Sequence, residues 1–128
     1  KILQFLLKSM KPNVKSSIVA EMFKNQIGKL GVSSLKSYNQ SLVNDYDIYP
    51  NIGKTWGYGL LLNNQKLVTG RSANSGSWVG LLNTYFWVDH RKDIAGVFLT
   101  QVLPCYTPPL FKAFQAFEEL SYKYFTKS

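Results

Sequence analysis

Few side chains in this sequence are equipped for chemistry, and their spacing limits what each can do. One S-x-x-K string occurs, Ser33-Ser34-Leu35-Lys36, the arrangement in which a lysine can activate a serine nucleophile. With 12 serines and 13 lysines among 128 residues, about one such string is expected by chance. Its neighbours are polar, whereas a lysine that serves as a base needs the desolvation of a buried helix start. Lys54-Thr55-Trp56-Gly57 approaches Lys-Thr-Gly, but the inserted tryptophan spoils the spacing, and these residues are expected to lead into a strand. His90 falls in the polar turn Asp89-His90-Arg91-Lys92-Asp93. No serine or cysteine stands at a spacing that implies contact with it, so a surface turn is expected. Cys105, the only cysteine, cannot form an internal disulfide and is expected to pack as a small apolar residue. With a single histidine no structural Cys/His zinc site can be assembled. No metal or other cofactor is implied.

The net charge of +8, from 15 basic and 7 acidic residues, favours an anionic partner on first inspection. The distribution argues otherwise. Lys1, Lys8, Lys11, Lys15, Lys24, Lys29 and Lys36 are spread at intervals, and only Arg71 and Arg91 offer the planar fork that grips phosphate. A solvated helical face explains the lysines, and no nucleic-acid partner is expected. No apolar run reaches the ~18 residues of a membrane span, so no transmembrane segment is expected.

These residues must be held by a single domain, since 128 residues exclude two. Leu3, Leu6, Leu7 and Met10 fall on one stripe of a short helix stopped by Pro12. Ser16 or Ser17 can cap a second helix, with Val19, Met22, Phe23 and Ile27 inward and Gly28 at its end. Residues 29–51 are rich in Ser, Asn and Asp without a sustained period and read as a long loop. Short apolar runs then follow, as strands do. Tyr58 to Leu62 is one, Lys66 to Thr69 a weaker one, Ser77 to Val88 a long one, and Ile94 to Leu103 its hairpin partner. Tyr85, Phe86 and Trp87 suit a pleated surface but alternate in direction, so they cannot form one stacking platform for single-stranded RNA. Thr107, Pro108 and Pro109 open a last helix, with Leu110, Phe114, Phe117 and Tyr124 along one face.

The result is an α+β fold, an antiparallel sheet of three to four strands with the C-terminal helix packed on one face. The other face has little to cover it. The strand Ile94-Ala95-Gly96-Val97-Phe98-Leu99 is apolar enough for the interior of a larger sheet. The chain also begins inside a helical pattern, with no capping residue before Ile2. Residues 1–128 are therefore expected to be one segment of a larger domain, with an N-terminal part absent.

Several stretches resemble the C-terminal part of the serine β-lactamase and penicillin-binding-protein superfamily, in its class C-like, β-lactamase-related esterase branch. They are Gly70-Arg71-Ser72, Ser77-Trp78-Val79-Gly80-Leu81-Leu82-Asn83-Thr84-Tyr85-Phe86-Trp87-Val88-Asp89 and Ile94-Ala95-Gly96-Val97-Phe98-Leu99-Thr100-Gln101. Trp56-Gly57-Tyr58-Gly59-Leu60, the first helix and the Pro108-Pro109 helix follow the same order. The resemblance implies a β-lactamase/transpeptidase-like fold and an activated serine that attacks an acyl carbonyl. It also implies a neighbouring strand carrying Lys-Thr-Gly, His-x-Gly or, in esterase-like members, Trp-Gly-Gly. The matching substrate-binding positions are Trp78, Val79 and Gly80. Leu81 is implied as the backbone N–H donor to the oxyanion hole, a role that requires no particular side chain. Trp78 stands where penicillin-recognising members have a cation, so small-molecule esters or amides with apolar acyl groups are expected over β-lactams. The family's nucleophile and tyrosine motifs lie upstream of this region, and the chain lacks its nucleophile. Two alternatives accompany this reading, a catalytically inactive relative used for binding or assembly and a basic nucleic-acid module.

Overall fold

A computed structural model of the chain describes residues 1–9 and 17–126. Met10, Pro12 and Ser16, and the side chain of Ser17, which carry the expected helix stop and cap, lie outside the described residues. The elements are α1 (Ile2–Ser9), α2 (Ser17–Met22), β1 (Lys54–Trp56), β2 (Leu61–Asn63), β3 (Gly76–Gly80), β4 (Thr84–Asp89), β5 (Ile94–Phe98) and α3 (Pro108–Phe125). Every strand pairs antiparallel with its sequence neighbour, in the order β1-β2-β3-β4-β5. The α+β class and the packed C-terminal helix are as expected.

The sheet has five strands instead of three or four, for two local reasons. Lys54–Trp56 forms a full edge strand, and the apolar run from Ser77 to Val88 is interrupted by a turn at Leu81-Leu82-Asn83. The pair Gly80↔Thr84 brackets those three residues, and Asn83 has φ 57°. That is the three-residue hairpin loop with its last residue left-handed, a conformation asparagine tolerates better than most side chains. Lys66 to Thr69 is a turn and not a strand, closed by the Gly70 N–H on the Leu67 carbonyl at 3.0 Å. The second helix ends at Met22, short of Gly28. The long loop is irregular as expected, touched by bridges at Leu35↔Tyr46 and Val43↔Cys105.

Two apolar layers flank the sheet. On one face Tyr85 stacks on Phe114 at 4.7 Å, and Trp87 meets Phe114 and Phe117 edge-on at 5.8 and 5.6 Å. Full burial of a ring such as that of Phe114 is worth about 1.5–3 kcal/mol. The Trp87 indole lies over Gly96, its cross-strand partner, so closely that a Cβ there would collide with the six-membered ring. The buried stripe of α3 is Phe111, Phe114, Glu118 and Tyr122, whereas Tyr124 is 74% exposed. The expected stripe through Leu110, Phe117 and Tyr124 is thus rotated, because hydrophobicity alone does not anticipate a buried glutamate.

Leu6 of α1, with Val19 and Phe23, packs against Leu60, Leu62 and Val88 on the opposite face. That face is covered by the first two helices, contrary to the sequence expectation. The apolar strand β5 is shorter than expected and stands at the edge of the described sheet.

Candidate functional site

β3 is an interior strand whose backbone is left partly unpaired. β2 opposes only Gly76 and Ser77, because the chain between β1 and β2 turns sharply away. The Gly57 N–H closes that turn on the Leu60 carbonyl at 2.9 Å, and Gly59 takes φ +72° within it. Strand alternation then decides which groups of β3 are open. Asn63 gives its backbone N–H to the Ser75 carbonyl at 3.4 Å, so Ser75 faces β2. Ser77, Val79 and Leu81 turn their backbone groups the same way, and Gly76, Trp78 and Gly80 turn theirs toward β4. Val79 and Leu81 therefore look onto a free edge. The Leu81 N–H has no hydrogen-bond acceptor among the described residues.

The side chains along this edge differ in role. Val79 is buried in the core beneath α3, and Leu81 is half exposed in the hairpin turn. Gly80 is exposed, and a Cβ built on it would meet only Thr84 at an ordinary 3.5 Å. Packing within the chain does not require glycine there. The indoles of Trp78 and Trp56 meet edge-to-face at 4.6 Å, although a strand separates β1 from β3. Both are partly buried against the core that contains Val79. A groove of about 880 Å³ lies on the α1 face of the sheet, lined by apolar residues that include Leu3, Leu7, Met22, Leu60 and Phe86. Its lining comes from α1, Met22, the turn before β2, β4 and β5.

The turn that carries Leu81 is clamped by Asn83, which is fully buried. Its Nδ2 donates to the carbonyls of Val102 and Pro104, both at 2.8 Å. Its Oδ1 accepts from the Tyr85 hydroxyl at 3.0 Å and the Thr107 N–H at 3.2 Å. All the hydrogen-bonding capacity of a buried amide side chain is used.

The start of β3 is held by Arg71. It is fully buried. Its Nε donates to Ser75 Oγ at 2.9 Å, Nη1 to Glu118 Oε1 at 3.2 Å and Nη2 to Asn63 Oδ1 at 3.3 Å. The Tyr49 hydroxyl donates to Glu118 Oε2 at 2.7 Å, and burial followed by the nearby Glu118 charge raises the Tyr49 pKa well above its ordinary value. Asp89 organises a second buried cluster, accepting from the Ser72 N–H at 2.8 Å and the Tyr122 hydroxyl at 3.0 Å.

The remaining sequence candidates do not enter this edge. Lys36 is exposed and paired with Asp45 at 2.9 Å, so it is not a desolvated base for Ser33. Lys54 is buried, with Nζ donating to Asp47 Oδ1 and to the carbonyls of Tyr49 and Ile52 at 2.6, 3.1 and 3.2 Å. Its three protons are all used. Cys105 is buried as expected, its Sγ 3.4 Å from the Gly80 carbonyl, and burial raises its thiol pKa. His90 is half-buried and not fully at the surface, with its ring edge-on to Phe23 at 4.9 Å. Burial lowers its pKa, partly opposed by Asp89. Among the described residues no cluster of His, Cys, Asp or Glu is arranged to hold a metal ion, and no helix is long and apolar enough to cross a membrane.

Sequence reasoning missed Arg71, Glu118, Asn63 and Asn83. The only signal was indirect, a glutamate one helical turn after Phe114 in an aromatic stripe.

No protein-family model and no curated protein matches the sequence. Solved structures do match, among them three of Simvastatin Synthase (LovD) from Aspergillus terreus. The LovD6 mutant superposes with a TM-score of 0.76 at 16% identity, over 99% of this chain and 32% of that one. The fold is that of the C-terminal part of simvastatin synthase. The unliganded selenomethionyl derivative of the synthase gives 0.73 at 14% identity, over 99% of this chain and 33% of that chain. The unliganded enzyme gives 0.72 at 15%, over 98% and 33%. The present chain thus spans about a third of the length of simvastatin synthase. At these identities the likeness is one of fold.

Proposed function

We propose that residues 1–128 are the C-terminal segment of a β-lactamase-related serine acyl hydrolase or transacylase, and that β3 forms one wall of its substrate cleft. In this reading the nucleophile belongs to an N-terminal part of the same domain. Leu81 gives its backbone N–H to the developing oxyanion, and Trp78, Val79 and Gly80 line the path of the acyl group. The observation that carries the reading is the open edge: the Leu81 N–H lies on the side of β3 that β2 leaves uncovered, with no internal acceptor. A preorganised, unpaired donor at a strand edge suits a charge that appears only in the transition state. The absence of a Cβ at Gly80 lets a substrate approach the backbone. Support also comes from the sequence resemblance and from the fold shared with simvastatin synthase. Trp78, backed by Trp56, offers an aromatic surface where a cation would be needed to hold a β-lactam carboxylate. Esters or amides with apolar acyl groups are the substrate class.

The test uses a longer protein that joins this chain to its upstream portion, assayed with a short-chain aryl ester. Leu81 occupies the first central position of its turn, where proline is favoured, so Leu81→Pro removes the N–H and leaves the hairpin intact. Turnover is expected to fall by about 10²–10³-fold, the cost of one oxyanion donor, with unchanged unfolding behaviour. Inactivity of the folded longer protein, or full activity of Leu81→Pro, would overturn the proposal. The former result would favour an inactive relative that serves in binding.

A further inference from the structure

The open edge exists only because β2 stops opposite Ser77, and the sequence of β2 does not by itself impose that register. Leu60, Leu61 and Leu62 are all buried, so both faces of this strand are apolar. Sliding the run by a residue would still present leucine to each side. Hydrophobic patterning normally specifies register because a slip exposes the apolar face, and that penalty is absent here. The β2–β3 ladder is also short, with two residue pairs, Leu61↔Ser77 and Leu62↔Gly76. A slip of two residues would bring Leu61 opposite Val79 and cover the backbone groups that now face outward.

The polar residues at the end of the ladder discriminate where the leucines do not. Asn63, directly after the leucine run, receives Arg71 Nη2 at 3.3 Å and the Ser75 hydroxyl at 2.6 Å on the same Oδ1. Arg71 Nε holds that serine at 2.9 Å, and the guanidinium is tied to Glu118 of α3 at 3.2 Å. Any slip would leave a buried amide, hydroxyl or guanidinium without its partner, which is costly in a low-dielectric interior. We infer that Arg71 is a positioning residue: with Asn63 and Ser75 it locks the register of β2 on β3, and so determines that the edge of Val79 and Leu81 stays open. The importance of that edge for acyl transfer rests on the function proposed above, but the lock is measurable without any turnover.

The experiment compares backbone amide exchange, by NMR on the intact chain, in the parent and in two variants. Arg71→Met with Glu118→Leu removes the buried ion pair as a unit, which avoids stranding one charge. Asn63→Leu extends the leucine run and removes the amide. In the parent, Ser77, Trp78 and Gly80 are protected and Val79 and Leu81 exchange freely. In each variant Val79 is expected to gain protection by about tenfold or more as β2 slides over it, while Trp78 and Gly80, whose β4 partners are untouched, exchange as in the parent. The Hα–Hα contact between Leu62 and Gly76 is expected to weaken with it. A merely structural role would move all slowly exchanging amides together. A uniform shift, or an unchanged pattern with the Leu62–Gly76 contact intact, would overturn the inference. Inactivity toward esters would refute the acyl-transfer reading and leave this result unaffected.

Discussion

Asn83 offers the sharpest quantitative test of how the turn bearing Leu81 is held. Replacing it by alanine removes four hydrogen bonds, two donated to Val102 and Pro104 and two accepted from Tyr85 and Thr107. At about 0.5–1.5 kcal/mol net for each, the sum is roughly 4 kcal/mol. Alanine must also hold the positive φ of 57°, which it tolerates less well than asparagine, a further cost below about 1–2 kcal/mol. Against a total stability of about 5–15 kcal/mol for a domain, such a loss places Asn83→Ala near the folding threshold. Asn83→Gly loses the same hydrogen bonds but not the steric cost, and should recover roughly 1 kcal/mol after its greater unfolded-state entropy is counted. Urea unfolding at constant m value measures both. A loss below about 1.5 kcal/mol for alanine, or a glycine variant less stable than the alanine one, would refute the reasoning.

Gly96→Ala should destabilise the sheet by about 1–3 kcal/mol, because the new methyl displaces the buried Trp87 ring. A red shift in tryptophan emission should accompany the loss, and wild-type stability would contradict the packing described. His90 should make stability pH-dependent. Its pKa is lowered in the folded chain, so the unfolded chain binds the proton first. Stability is then fully present above about pH 6.5, where the free imidazole titrates, and falls as pH drops from there through the folded pKa. His90→Gln should flatten that segment of a stability-against-pH curve, and an unchanged slope would exclude His90 as its source.

Much of this fold was legible in the residues themselves. The alternation of Tyr85, Phe86 and Trp87 was visible because strand side chains alternate. The hairpin turn through Asp89 to Asp93, the irregular residues 29–51 and the burial of Cys105 likewise follow from local rules. What escaped was polar and non-local. The break at Leu81-Leu82-Asn83 is hidden by two leucines, and its turn conformation is stabilised by partners as far away as Thr107. The burial of Glu118 inside an aromatic helix stripe depends on Arg71, 47 residues earlier.

Composition and periodicity were enough to determine an α+β chain with an antiparallel sheet, a helix across it and a Trp78-Val79-Gly80 strand segment, because those features arise from neighbours within a few residues. Tertiary structure alone decided where β2 stops, which N–H groups of β3 remain unpaired and that Arg71 belongs to the interior. Each of these depends on groups distant in sequence meeting at hydrogen-bonding distance, where a buried polar atom is stable only if a partner is in place.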